Sequence, residues 1–187
     1  MPILKVAGKL SHTQQMIFTM GDVKNLSTHE GIKKLKAIIK EAKICHFVSA
    51  LTQLPLQSRP MSTADVDDEG NIWFMSKDNS NKNFDIESDN RVQLFYINNS
   101  DYEYLSVYGT AEIMRDKDKV EQVWKSIAKT WFNEGKDDPS LTLIRVTPLD
   151  VYYWDTKSNK LISLIKIAAG AIAGKPIDDG IRGNIKV

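Results

Sequence analysis

Hydrophobic positions along this chain follow two periods. Around residues 27–42 they recur every three to four places: Ile32, Leu35, Ile38, Ile39 and Ala42 fall on one helical face, with Lys33, Lys34, Lys36 and Lys40 elsewhere. Ser27-Thr28-His29-Glu30 has capping-box spacing, so a helix is predicted to start there, with its lysines as a solvated face. From Ile44 to Thr156 the period shortens. Runs rich in Val, Ile, Phe, Tyr, Trp and Thr recur between turn signals, which predicts strands at 45–51, 59–66, 71–76, 91–97, 104–114, 141–147 and 151–154. Asp67-Asp68-Glu69-Gly70 separates two of them and reads as a hairpin turn in which Gly70 takes positive φ, making its flanking strands antiparallel.

Helical signals interrupt the strands twice. Asn79-Ser80-Asn81-Lys82 opens a short helix, with Ser80 or Asn79 as cap and Phe84 and Ile86 turned inward; its start is a candidate anion site. Asp116 caps a longer segment on which Val120, Val123, Trp124, Ile127 and Trp131 mark one face, ending near Asn133-Glu134-Gly135. A third helix is predicted after Ser158, with Leu161, Leu164, Ile165, Ala168 and Ile172 inward and Gly174-Lys175-Pro176 as its stop. Strands do not alternate regularly with crossover helices, which argues against a parallel sheet and for a mainly β fold, an antiparallel barrel with flanking helices. The division that follows is an arm at 1–26, one domain at 27–175 and a Gly-rich polar tail at 176–187. No repeat of fixed period is present.

Composition narrows the function classes. At 187 residues, with 42% hydrophobic and 26% charged side chains, the chain suits one globular domain with a buried core. Basic and acidic residues number 25 and 24, so there is no long-range field to draw nucleic acid or anionic lipid. The lone cysteine, Cys45, forms no intrachain disulfide, and residues 1–9 lack the apolar run of a secretory signal, so a cytoplasmic location is expected. The most apolar window, 161–174, is interrupted by Lys166 and falls short of the about 20 residues a membrane span needs.

Most chemical motifs fail on their spacing. Neither a P-loop nor a dinucleotide-binding glycine pattern is present. Gly170 and Gly174 read as close helix packing. Asp65 to Gly70 starts like a calcium loop, but Ser76 stands where a bidentate glutamate is required. Cys45 and His46, neighbours on a strand, point to opposite faces, and no metal site is expected. A more specific constellation runs from Arg59 to Lys82. Arg59 offers bidentate donors, Lys82 a point charge, Ser76 and Ser80 hydroxyls, and a helix start its backbone N–H groups, all suited to a phosphate monoester. Trp73 and Met61 offer a wall for a flat ring. Spacing alone leaves open the plainer reading, in which Arg59 and Lys82 are surface charges and Trp73 belongs to the core.

Arg59-Pro60-Met61-Ser62-Thr63, Gly70-Asn71-Ile72-Trp73-Phe74-Met75-Ser76 and Ser80-Asn81-Lys82 together resemble the FMN-binding split barrels related to pyridoxamine 5′-phosphate oxidase, and within them the general stress protein 26 branch. The resemblance continues, in order, through residues 107–113, Trp131-Phe132, 135–139, 143–146 and Tyr153-Trp154-Asp155. It implies a homodimer of six-stranded antiparallel split β-barrels with FMN in the subunit interface. By position, Arg59 and Lys82 would hold the phosphate with help from Ser76 and Ser80. Pro60, Met61, Ser62 and Thr63 would line the flavin, with Trp73 and Phe74 on the cofactor-side strand. Trp131 and the 104–106 strand would approach the ring from the second subunit.

The carboxy-terminal sequence Gly183-Asn184-Ile185-Lys186-Val187 lacks the arginine motif of the oxidases proper, and their substrate-phosphate residues have no counterpart between Lys117 and Phe132. The resemblance therefore implies cofactor binding more directly than a reaction and assigns no catalytic residue. Two functions stay open: a flavin-dependent oxidoreductase with a stress-related role, and a non-catalytic flavin-binding stress or sensor module. A flavin-free dimer holding haem or a deazaflavin is a third, with Arg59 and Lys82 speaking against haem.

Overall fold

The computed structural model describes residues 22–156 and 180–187. Two short strands, β1 (Asp22–Val23) and β4 (Asp65–Val66), accompany seven longer ones. These are β2 (Ile44–Ser49), β3 (Gln57–Ser62), β5 (Ile72–Lys77), β6 (Arg91–Asn98), β7 (Glu103–Met114), β8 (Leu141–Thr156) and β9 (Gly180–Asn184). The helices are α1 (Thr28–Ala42), α2 (Asn81–Ser88) and α3 (Lys117–Val123), followed by 3-10 turns at Ser126–Thr130 and Gly135–Asp137.

Pairing closes on itself. β2 lies between β3 and β6, β6 pairs β7, β7 pairs β8, β8 pairs β5, and β5 pairs β4, which continues the stretch begun by β3. The result is a six-stranded antiparallel split barrel with flanking helices. The 141–147 and 151–154 runs are one strand, bent where its register against β7 shifts between Tyr108 and Gly109. Its first half serves β5 and its second half β9.

Inward positions of these strands build the main core, in which Phe47 and Phe74 meet edge to face with ring centroids 5.4 Å apart. α1 covers the barrel with Leu35, Ile38 and Ile39. Lys34, expected among the solvated lysines, is instead pinned by Glu103 at 2.7 Å and Asp155 at 2.6 Å. Burial alone would lower its pKa, but the two carboxylates outweigh that and raise it. Ser27 precedes the helix without capping it; its hydroxyl meets Glu30 at 3.4 Å.

The 67–70 hairpin forms as expected, with Gly70 at φ 85°. Asp67 holds it by accepting from the backbone N–H groups of Glu69 and Asn71. The residues assigned to the arm and the tail join the barrel where they are described. β9 pairs antiparallel with β8 and parallel with β1, and Gly183 lies so close to the Lys24 carbonyl that no side chain fits there. The helix expected after Ser158, and the Gly170/Gly174 pair, lie outside the described residues.

Two helical expectations change. On α2 the inward positions are Asn83 and Ile86, while Phe84 is 56% exposed. Asn83 takes the inward place because buried hydroxyls on β5 and β8 wait to pair with it. The long helix after Asp116 ends at Val123, because Trp124 and Lys125 turn extended. That break lets Val123, Ala128 and Phe132 pack together with Trp73 in a second, smaller core, a tertiary demand that local periodicity does not carry.

Candidate functional site

The barrel is split between β3 and β5. Ala64 N–H donates to Trp73 O at 2.8 Å and β4 pairs β5 at Asp65 and Val66, but beyond that point β3 and β5 diverge. β3 ends the strand path, and β5 has its full-length partner, β8, on the other side. Each therefore turns a main-chain edge without a strand partner, among the described residues, toward the gap. A cavity of about 400 Å³ occupies it. One wall is Pro60, Met61, Ser62, Thr63 and Ala64, and the opposite wall is Met75, Ser76 and Lys77. The α2 entry closes one end with Asn79, Ser80 and Lys82, and the second core closes the other with Val123, Lys125, Ala128, Trp131 and Phe132.

The α2 end is built for an anion. Lys82 is half-buried, and burial followed by the nearby Arg59 cation lowers its pKa. No described carboxylate pairs with it; the carboxylate in this corner, Asp85, is taken by Arg59 at 3.3 Å. Arg59 also donates to Ser49, which donates to Asp85 at 2.6 Å, so the guanidinium is held behind the cavity rather than lining it. Ser76 and Ser80 lie 3.0 Å apart, oxygen to oxygen. The N–H groups of Asn81 and Lys82 open α2 next to them, while those of Asn83 and Phe84 are taken by Ser80 O.

The opposite wall is more neutral. Thr63 Oγ1 is 2.8 Å from the hydroxyl of Tyr96, a buried side chain whose pKa burial raises far above the usual phenol range. Behind it burial pushes the Cys45 thiol up to about 12, so this thiol stays protonated. Lys125 donates to Ala64 O at 3.0 Å, tying the segment after α3 to the 60–64 wall.

Of the residues singled out from sequence, Pro60, Met61, Ser62, Thr63, Ser76, Ser80, Lys82 and Trp131 line this one cavity. Trp73 and Phe74 do not. Phe74 points into the barrel core. Trp73 points the other way, into the second core, where its Nε1–H donates to Asp67 at 2.8 Å and Lys119 Nζ sits 4.7 Å from its ring centroid. Trp131 belongs to the same chain's cavity, where the resemblance implied a partner's residue, and it is 54% exposed. The 104–106 strand lies on a different face. Asn79, a candidate cap at the expected anion site, lines it too, whereas Ala64, Met75, Lys77, Val123, Lys125, Ala128 and Phe132 are lining residues that the sequence does not single out. Ala64, Met75 and Lys77 adjoin Thr63 and Ser76 in sequence, but strand alternation from Ser76 would turn Met75 and Lys77 to the other face, and no local signal places Lys125 or Ala128. Among the described residues, no cluster of His, Cys, Asp and Glu is suited to a metal, and no helix is long and apolar enough to cross a membrane.

Residues 30–178 match the family model described as pyridoxamine 5′-phosphate oxidase like. The chain belongs to this family. Protein bli-3 of Neurospora crassa is 30% identical over 130 residues, which cover 65% of this chain and 62% of that protein, so the chain spans less than two thirds of that curated relative. A crystal structure described as a candidate general stress protein 26 from Jannaschia sp. CCS1 superposes with TM-score 0.68 at 21% identity, covering 86% of this chain and 98% of the other. The general stress FMN/FAD binding protein of Xanthomonas citri superposes with TM-score 0.59 at 21% identity, covering 69% and 90%. Both share the fold. For a member of the pyridoxamine 5′-phosphate oxidase-like family, the split between β3 and β5 is the concave feature on which a functional reading rests.

Proposed function

We propose that this protein binds FMN in the β3–β5 cavity, phosphate toward Lys82 and ring toward Met61, Thr63 and Trp131, and acts as a flavin-dependent oxidoreductase with a stress-related role. The observation that carries the reading is Lys82: a half-buried cation whose pKa is lowered by burial and by Arg59, with no carboxylate of its own among the described residues, facing a cavity with apolar walls. A charge in that position asks for an anion. A phosphate monoester joined to a flat apolar ring fits both halves of the cavity, and a flavin-binding relative of the same fold agrees with it. FMN, when bound, supplies the electron and hydride chemistry of its ring. The chain's part is to bind, orient and shield. Ser80 and the start of α2 face the anion, with the buried Ser76 behind Ser80, while the main-chain edges of β3 and β5 offer donors and acceptors to the polar rim of the ring. Among the described residues, the ionisable side chains lining the cavity are Lys77, Lys82 and Lys125, and the proposal assigns no protein nucleophile or carboxylate base.

The functional unit proposed is a homodimer. Its support is an outer face that continues from the cavity: His46 pairs with both Pro60, on the cavity wall, and Phe95, in a shallow apolar groove with Ile97, Tyr104 and Trp154. Phe95, Ile97, Tyr104 and Trp154 are exposed large hydrophobic groups. A second copy seated there covers them and the open side of the cavity together. Light scattering at micromolar concentration is expected to give a dimer, and Phe95→Lys with Trp154→Lys a monomer.

A yellow purified protein with a shifted flavin spectrum, or a colourless one that takes up FMN, is the expected result. Protein that ignores added FMN ends the proposal. Anaerobic NADH or NADPH then separates the two roles: bleaching of the bound flavin marks an oxidoreductase, and an unbleached flavin moves the weight to the non-catalytic stress or sensor module. The protonated, buried Cys45 suits a reducing compartment, in keeping with the cytoplasm.

A further inference from the structure

Ser76 and Ser80 look interchangeable by position, since both hydroxyls border the anion end of the cavity. The hydrogen bonds behind them separate the two. Asn83, 1% exposed on the inward face of α2, donates its amide N–H to Thr142 Oγ1 at 3.1 Å. Thr142 spends its one hydroxyl hydrogen on Ser76 O at 3.0 Å, so its oxygen is an acceptor and the orientation of the Asn83 amide is settled by the network. Asn83 Oδ1 therefore faces the serines. It accepts from Ser76 at 2.7 Å and from Ser80 at 3.0 Å.

A serine hydroxyl has one hydrogen, and to hold an anion that hydrogen must turn toward it. Ser76 is buried, makes the shorter bond to Asn83, and has a second inward acceptor in Lys77 O at 3.2 Å. Releasing its hydrogen gives up the shorter of the two bonds to the buried Asn83 Oδ1 and leaves that oxygen dependent on the partly exposed Ser80. Ser80 is partly exposed, is the residue before α2 without capping it, and makes the longer bond. If Ser80 turns outward, Asn83 Oδ1 keeps its bond from Ser76 and nothing buried loses its last partner.

We propose that Asn83 is a positioning residue that commits Ser76 to the protein interior and leaves Ser80 as the hydroxyl that donates to the ligand phosphate, so that Ser80 and not Ser76 sets the preference for a phosphorylated over an unphosphorylated flavin. This rests on the FMN reading above. The test is titration of the full chain with FMN and with riboflavin, which differ by the phosphate alone. Ser80→Ala is expected to lower FMN affinity about tenfold and leave riboflavin affinity unchanged, the size of one hydrogen bond to a charged group. Ser76→Ala is expected to lower the melting temperature while the ratio of FMN to riboflavin affinity stays within about twofold of wild type, since its bonds are internal. In an Asn83→Ala background Ser76 is released, so the loss on adding Ser80→Ala is expected to shrink; the two single serine variants decide the matter if that background does not fold. Equal loss of the ratio in both serine variants, or a larger one in Ser76→Ala, overturns the proposal while leaving FMN binding intact. Wild type that binds neither flavin overturns the FMN reading and this inference with it.

Discussion

The barrel core and the smaller core beside the cavity are made of the same kinds of side chain but do different work. In the barrel, Phe47, Leu94 and Val107 sit on strands laddered on both sides, Phe74 of β5 packs against Phe47, and the core reaches the cavity at its margin, through Met61. In the smaller core, Val123, Ala128 and Phe132 hang on one short helix and a 3-10 turn, with one side against Trp73 and Leu143 and the other lining the cavity. Packing that is closed all round sets stability. Packing with one open side is where a ligand finishes the job.

Phe74→Ala is the hardest test of this contrast. It removes the ring that meets Phe47 and is expected to cost about 3 to 5 kcal/mol in denaturant unfolding, since a fully enclosed site cannot collapse around the void. Phe132→Ala is expected to cost about half as much in stability, because its site borders open space, but to weaken FMN binding by about tenfold; equal destabilisation by the two substitutions would erase the distinction.

Trp73→Phe probes the seam between the cores. It keeps an aromatic ring, though a smaller one, and deletes the donor to Asp67; the lost bond costs about 1 kcal/mol once solvent screening of that carboxylate is allowed for, and the lost ring volume adds to it. Burial works to raise the Asp67 pKa, but the hydrogen bonds from Trp73 and Asn71 prevail and lower it. The folded value thus lies below the unfolded one. The stabilisation is present above the ordinary carboxylate range and fades as pH falls through the folded value, so the gap in melting temperature between wild type and variant should narrow below about pH 4. A gap independent of pH would mean the bond does not matter.

Lys82→Met carries the smallest stability effect and the opposite sign. Burial and Arg59 depress the folded pKa of Lys82, so its charge opposes folding below that pKa, and the ligand-free variant should melt slightly higher at pH 7 than wild type. Its FMN affinity should fall. A lower melting temperature would indicate that Lys82 is an ordinary structural cation.

How legible this was depends on the range of the interaction. The strands from 44 to 156 show in their β-branched and aromatic runs, and the hairpin shows in Asp67 and Gly70, because both are local preferences. β9 did not show: Gly180-Ile181-Arg182-Gly183-Asn184 has little β propensity and is held by its neighbours β8 and β1. Ser76, Ser80 and Lys82 meet as the Arg59 to Lys82 spacing suggested. Trp73 failed as a cavity wall because alternation on β5, buried on both faces, sends it and Phe74 to different cores. Asn83 carries no local signal, because its partner Thr142 lies 59 positions away and Phe84 beside it is the more apolar residue.

The most direct test of the central claim, that the Lys82 corner holds a flavin phosphate, is a flavin fluorescence titration of wild type and Lys82→Ala with FMN and riboflavin. Saturable FMN binding that weakens about ten- to a hundredfold in the variant, with riboflavin affinity unchanged, is the result this account requires. FMN affinity that is the same in both proteins, or FMN bound no better than riboflavin by wild type, would contradict it.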